Sequence, residues 1–190
     1  MSSPLDALGA AAPRQPFYRR RISCEGFIRD DGLWDIDAHL LDTRAAARTD
    51  YDGQTVPAGA PLHQMVLRVT LDAQMTIVAA RAVTLEAPMP ECPNIAAAYA
   101  SLVGLRIGPG FLSRVREMFK GAQGCTHLTE IMSTVATTAF QTAQSRRTQT
   151  TDPATGERLP SARMLDSCHA FRRDGQAVLE RWPSLAAKKT

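Results

Sequence analysis

Between Trp34 and Leu40 the chain alternates strictly. Trp34, Ile36, Ala38 and Leu40 are apolar, and Asp35, Asp37 and His39 stand between them. A period of two puts each set on its own face of an extended chain, so this segment predicts a half-buried strand. The preceding run, YRRRISCEGFI, ends at RDDG, where Asp-Gly suits a hairpin turn, so the two strands should pair antiparallel. Residues 44–61 carry Asp-Gly, Pro and Gly and read as loop. In LHQMVLRVTL, His63, Met65, Leu67, Val69 and Leu71 then share one face, and the short turn DAQ leads to MTIVAARAVTL, which is again strand-like. Two hairpins in series predict an antiparallel sheet of about four strands.

After EAPMPECP the period becomes helical. Pro93 suits a first helical position, which would make Cys92 the N-cap, and Ile95, Ala98, Tyr99 and Leu102 form the stripe. Gly104 should end that helix. A second is expected from near Pro109, with Leu112, Val115, Met118 and Phe119 on one side, and a stop at Gly121. A third starts at about Thr126 with Leu128, Ile131, Met132, Val135 and Ala139 inward. Strands followed by helices predict an α+β fold with three helices on one face of the sheet. The expected organisation is a mobile arm over 1–16, one α+β domain over 17–146, an exposed loop over 147–163, and a segment over 164–190 that docks back as strand, hairpin or short helix.

Composition narrows the class. A chain of 190 residues, 44% of them hydrophobic, can build a core, and a net charge of +3 is too mild to argue for nucleic acid. No apolar run is long enough to span a bilayer, and the first residues lack a secretory signal pattern. The 4 cysteines, Cys24, Cys92, Cys125 and Cys168, are too sparse for a disulfide scaffold and are expected as thiols in a cytoplasmic protein.

Candidate chemistry begins with GCTH, where Cys125 and His127 precede the third helix. Cys92 and Cys125 are both predicted at helix N-termini, where free N–H groups favour a thiolate. His63 is the first inward position of its strand, at the rim of the sheet. Convergence of His63, Cys92, Cys125 and His127 would suit zinc or an iron–sulfur centre, although no CxxC or HxxxH pair is present. Ordinary packing accounts for the same thiols and imidazoles. Gly104, Gly108 and Gly110 around Arg106 offer an anion site or simply a helix–helix turn, without Walker or Rossmann spacing. Asp30, Asp31, Asp35 and Asp37 fit cross-strand pairing with Arg19, Arg21 and Arg29. No nucleophile elbow supports Ser/His/Asp catalysis.

The ordered motifs YRRRISCEGFIRDDGLWDIDAHLLDT, VPAGAPLHQMVLRVTL, ECPNIAAAYASLVGLRIGPGF, GCTHLTEIMSTVATTAFQT and LDSCHAFRRDG resemble a bacterial domain-of-unknown-function family that includes phenylcoumaran γ-formaldehyde lyases. The resemblance covers Phe17 to Pro183. It implies a lyase that cleaves a carbon–carbon bond in lignin-derived β-5 aromatic dimers, releasing formaldehyde and leaving a stilbene. A weaker architectural similarity is to iron–sulfur cluster scaffold proteins, with His63 where a cysteine often stands. That second resemblance implies a metal or iron–sulfur binding protein without catalysis.

Formaldehyde release needs proton transfer and oxyanion stabilisation but no redox cofactor. For it, His63 or His127 is the expected base, Glu130 the group orienting His127, and Arg106 the phenolate's partner. Tyr99, Leu102, Phe111 and Cys125 are expected around the substrate. Zinc or iron would belong to the second reading. The expected partner is a small aromatic substrate, with no nucleic acid or membrane, and an edge strand or the long helix would support a homodimer.

Overall fold

The computed structural model describes residues 4–144, 150–151, 156, 158–160 and 164–187. The fold is α+β. Four antiparallel strands, β1 (Tyr18–Ile28), β2 (Trp34–Arg44), β5 (Pro61–Leu71) and β6 (Ile77–Glu86), lie in the order β1-β2-β5-β6. Between β2 and β5, where loop was expected, two short strands, β3 (Arg48–Thr49) and β4 (Thr55–Val56), pair as a small hairpin. No helix among the described residues is long and apolar enough to cross a membrane.

The alternation of β2 is realised residue by residue: Trp34, Ile36, Ala38 and Leu40 are buried, and the intervening positions keep partial exposure. Their neighbours Met65, Leu67, Val69 and Leu71 on β5 are buried on the same face. Leu128, Ile131, Met132, Val135 and Ala139 of helix α2 (Thr126–Gln144) are also buried, matching the stripe read from the sequence. Gly26 of β1 is required by close approach, because a Cβ there would lie 1.8 Å from Thr142 Oγ1.

The first predicted helix takes a different form. Cys92–Leu102 is a 3-10 helix, its buried residues being Ala96, Tyr99 and Leu102, one every three positions. A stripe at a spacing of three fits a helix with three residues per turn. Its N-cap is Glu91, so Cys92 is the first helical residue and not the cap. Helix α1 (Phe111–Met118) follows, capped by Gly110 in the left-handed region at φ 83°. Between them, residues 104–107 pair back onto the start of β6: Ile77 N–H donates to the Leu105 carbonyl (2.8 Å) and Ile107 N–H to the Met75 carbonyl (2.8 Å).

The chain divides into two compact units, Met1–Thr142 and Ala143–Thr190. In the first, Pro4–Leu8 forms an exposed 3-10 turn ahead of β1. The second has a two-residue pairing of β7 (Thr150–Thr151) with β8 (Arg158–Leu159), a 3-10 turn at His169–Phe171, and short helices α3 (Gln176–Arg181) and α4 (Ser184–Ala187). Most of the expected loop over 147–163 lies outside the described residues.

Candidate functional site

On the core face, one cross-strand row at the rim of the sheet is polar. Arg20 of β1 pairs in register with Asp42 of β2, and Asp42 with His63 of β5. The β2–β5 register shifts just beyond this row, between Asp42 and Thr43, and β5–β6 shifts just inside it, between Gln64 and Met65. Such irregularities bend a strand and re-aim its side chains, so β5 departs from regular pairing around this row while β1–β2 runs on to Tyr18 and Arg44.

Helix α2 closes over it. The Cys125 carbonyl accepts the first helical bond, from Thr129 N–H (2.9 Å), which places Cys125 at the N-cap and His127 in the first turn. The His63 and His127 rings lie 3.8 Å apart, centroid to centroid, tilted by 30°. Both imidazoles are part-buried, while the Asp42 side chain has no solvent exposure at all.

Arg20 grips Asp42 through two bonds, Nε to Oδ1 at 2.8 Å and Nη2 to Oδ2 at 2.7 Å, and its remaining Nη1 is bonded to Glu130. His63 Nδ1–H donates to Asp42 Oδ2 at 3.1 Å. His127 Nε2 lies 3.7 Å from the same oxygen, beyond hydrogen-bond range, and its Nδ1 lies 3.8 Å from Cys125 Sγ.

These contacts fix the protonation states. Burial pushes the Asp42 carboxyl up, but Arg20, the Tyr18 hydroxyl and His63 outweigh it and hold the group below the usual carboxylate range. Burial lowers His63, with Asp42 partly offsetting it. Burial lowers His127 to about 4, and the charges of His63 and Arg20 add to the effect. Near neutral pH the buried centre of the site therefore holds the Asp42 carboxylate, the Arg20 guanidinium and two uncharged imidazoles. Because His63 spends its Nδ1 proton on Asp42, its Nε2 carries the lone pair.

Of the residues singled out in the sequence, the fold brings together His63, Cys125, His127 and Glu130. Glu130 reaches Arg20 and not the imidazole it was expected to orient. Tyr99 is fully buried behind the helix start: its hydroxyl accepts from Cys125 N–H (3.1 Å), donates to the Cys125 carbonyl (2.8 Å) and lies 2.7 Å from Thr129 Oγ1. It stacks on Phe119 at 4.1 Å and so clamps the helix instead of walling a cavity. Leu102 and Phe111 are likewise core residues. A groove between α1 and α2, lined by Leu112, Val115, Arg116, Thr126, Thr129 and Glu130, opens beside the first turn of α2 instead.

Arg106 is elsewhere. Its Nε donates to the Gln74 carbonyl (3.0 Å) in the β5–β6 turn, and it bridges Thr76. That turn caps the end of β5 opposite His63, about 27 Å away at ~3.3 Å per strand residue. All four cysteines are free thiols. Among the described residues, the donors that converge tightly enough for a cation are Asp42, His63 and His127, all within 4.8 Å of one another, with neither Cys92 nor Cys125 among them.

Sequence reasoning missed Arg20, Asp42 and Tyr18. The signal was present for Asp42, which continues the inward parity of Trp34, Ile36, Ala38 and Leu40. The chain matches the family described as proteins of unknown function DUF2889 over residues 18–141, and it belongs to that family. Every residue of the rim site lies inside the match. No curated protein and no solved structure matches the chain.

Proposed function

We propose that this protein is a lyase of the aromatic-dimer class, releasing formaldehyde from the γ-hydroxymethyl group of a phenylcoumaran by proton transfer at the His63–His127 pair. The observation that carries the reading is the pair itself: two uncharged, part-buried imidazoles beside one ionised, Arg20-held carboxylate. That combination leaves both imidazoles unprotonated at neutral pH, so each has a lone pair free to accept a proton.

In the proposed sequence, His127 takes the proton of the substrate's para-phenol. The phenolate opens the dihydrofuran ether, giving a quinone methide and a second phenolate, which recovers the proton. His63 Nε2, its tautomer set by Asp42, then removes the γ-hydroxyl proton. The Cγ–Cβ bond breaks, formaldehyde leaves, and the electron pair restores the aromatic ring as a stilbene phenolate, which takes the proton back from His63. The balance needs no oxidant or reductant. A part-buried site with its carboxylate already paired favours this work, because each proton moves between groups that are neutral at rest. The cytoplasmic setting expected for unpaired thiols fits a small diffusible substrate.

A second reading rests on the same donors. Asp42, His63 and His127 could hold a divalent cation, as two imidazoles and a carboxylate do in many centres. It is the weaker one, since both Asp42 oxygens are already occupied by Arg20.

The test is incubation of the metal-analysed protein with a phenylcoumaran dimer, with and without chelator, following formaldehyde and stilbene absorbance. Equimolar products that survive chelator and vanish in a folded His63→Ala variant support the lyase. Absence of product with stoichiometric, chelator-removable zinc or iron would transfer the site to the second reading.

A further inference from the structure

The face of the sheet turned away from the helices carries an ordered charge pattern. Register across the four strands gives one row of Glu25, Asp37, Arg68 and Arg81, from β1 to β6. Acid occupies one half of the row and base the other. Two rows away, Arg21 stands at the β1 edge and Glu86 at the β6 edge, with the signs reversed. The row between holds Ser23, His39, Val66 and Val83. Asp37 pairs with Arg68 within the chain, but Glu25, Arg81, Arg21 and Glu86 form no ion pair among the described residues, and all four are exposed.

From this pattern we infer that the open face binds a second copy of the chain, face to face, about a two-fold axis running along the strands between β2 and β5. Rotation about that axis lays β1 over the partner's β6 and β2 over its β5, row on row. Glu25 then meets an arginine at position 81, Asp37 an arginine at position 68, and Arg21 a glutamate at position 86. Leu41 comes to rest on position 64, and the Val66–Val83 strip on His39 and Ser23. Each of these contacts occurs twice by symmetry. The other in-plane two-fold, across the strands, would set Glu25 on Glu25 and Arg81 on Arg81 if it ran through that row, and Glu25 on Arg21 but Asp37 on Leu41 and Arg68 on Gln64 if it ran through the Ser23–Val83 row. Only the first axis sets all four charges of the Glu25–Arg81 row on their opposites, and on that ground the charge order favours it.

The face is large enough. Four strands at ~4.8 Å and about ten residues at ~3.3 Å give a patch of roughly 600 Å² per copy, or about 1,200 Å² in total, at the lower edge of a specific interface. Aligned sheets pack at about −30°, an offset this symmetry permits. The rim site lies on the opposite face, so the dimer leaves it accessible.

Sedimentation velocity of the full chain over a concentration series, with circular dichroism to verify folding, is the test. The wild type should dimerise, more weakly as salt rises. Glu25→Arg and Arg81→Glu should each raise the dimer dissociation constant at least tenfold, and the double variant should restore it, because the reversed pair re-forms. A wild type that stays monomeric at every concentration overturns the inference. So does a dimer unaffected by either reversal, or a double variant no better than the singles.

Discussion

The two faces of this sheet are built from the same residue types and put them to opposite use. On the core face, Arg20, Asp42 and His63 form a row that converges on one carboxylate without solvent exposure. On the open face, Glu25, Asp37, Arg68 and Arg81 form a row that stays spread and, within one chain, largely exposed; Arg68 keeps 59% of its side-chain exposure. Only parity separates them: Arg20 and Arg21 are adjacent, and Asp42 and Asp37 differ by an odd number. A carboxylate on the inner parity must find partners or unfold the rim, whereas one on the outer parity is optional.

Substitution should expose that asymmetry. Asp42→Asn leaves part-buried Arg20 with Glu130 as its remaining ionic partner and removes its bidentate pair, so we expect a loss of roughly 2–4 kcal/mol in urea unfolding. On the proposed lyase reading, formaldehyde release should also fall more than about a hundredfold, because His63 loses the partner that orients it. Asp37→Asn, the outer counterpart, should change stability by less than about 0.5 kcal/mol and leave turnover intact. Equal effects of the two would erase the distinction.

A pH series sharpens it next. The fold holds His63 and His127 below the ordinary 6.5, His127 at about 4, so the unfolded chain binds these protons more readily. Stability should be full above 6.5 and decline as pH falls toward about 4, with His127→Gln flattening the slope. Unfolding midpoints at pH about 7 and about 5 would check this; no change between them would mean the imidazoles are not held neutral.

Smaller effects are expected from the supports. Tyr99→Phe removes the hydroxyl that serves Cys125 and Thr129 and should cost about 1–2 kcal/mol. Arg68→Ala breaks only a solvated pair and should cost under about 1 kcal/mol.

How far the sequence was legible follows from the same parity. Alternation in Trp34–Leu40 and the stripe of α2 are local patterns, and both were readable. His63 at a rim and Cys125–His127 at a helix start were readable as places where polar groups gather. Arg20 was passed over because its neighbours Arg19 and Arg21 suggested a solvated run. Its inward turn becomes visible only when register sets it opposite Asp42. Arg106 was misplaced because glycine spacing says that a turn exists but not which end of the sheet it reaches. Tyr99 looked like a lining residue because nothing local announces that its hydroxyl meets a backbone 26 positions away.

Strand β1 and helix α2 also keep a common measure. Arg20 meets Glu130, Cys24 is bonded to Thr138, and Gly26 abuts Thr142. Each step of one along the strand, about 3.3 Å, is matched by two along the helix, about 3.0 Å. The two elements therefore mesh like a rack and pinion of fixed ratio. Removing one helical residue between Glu130 and Thr142 would turn everything upstream by about 100°. The imidazole at the head of the helix is timed by a glycine at its tail.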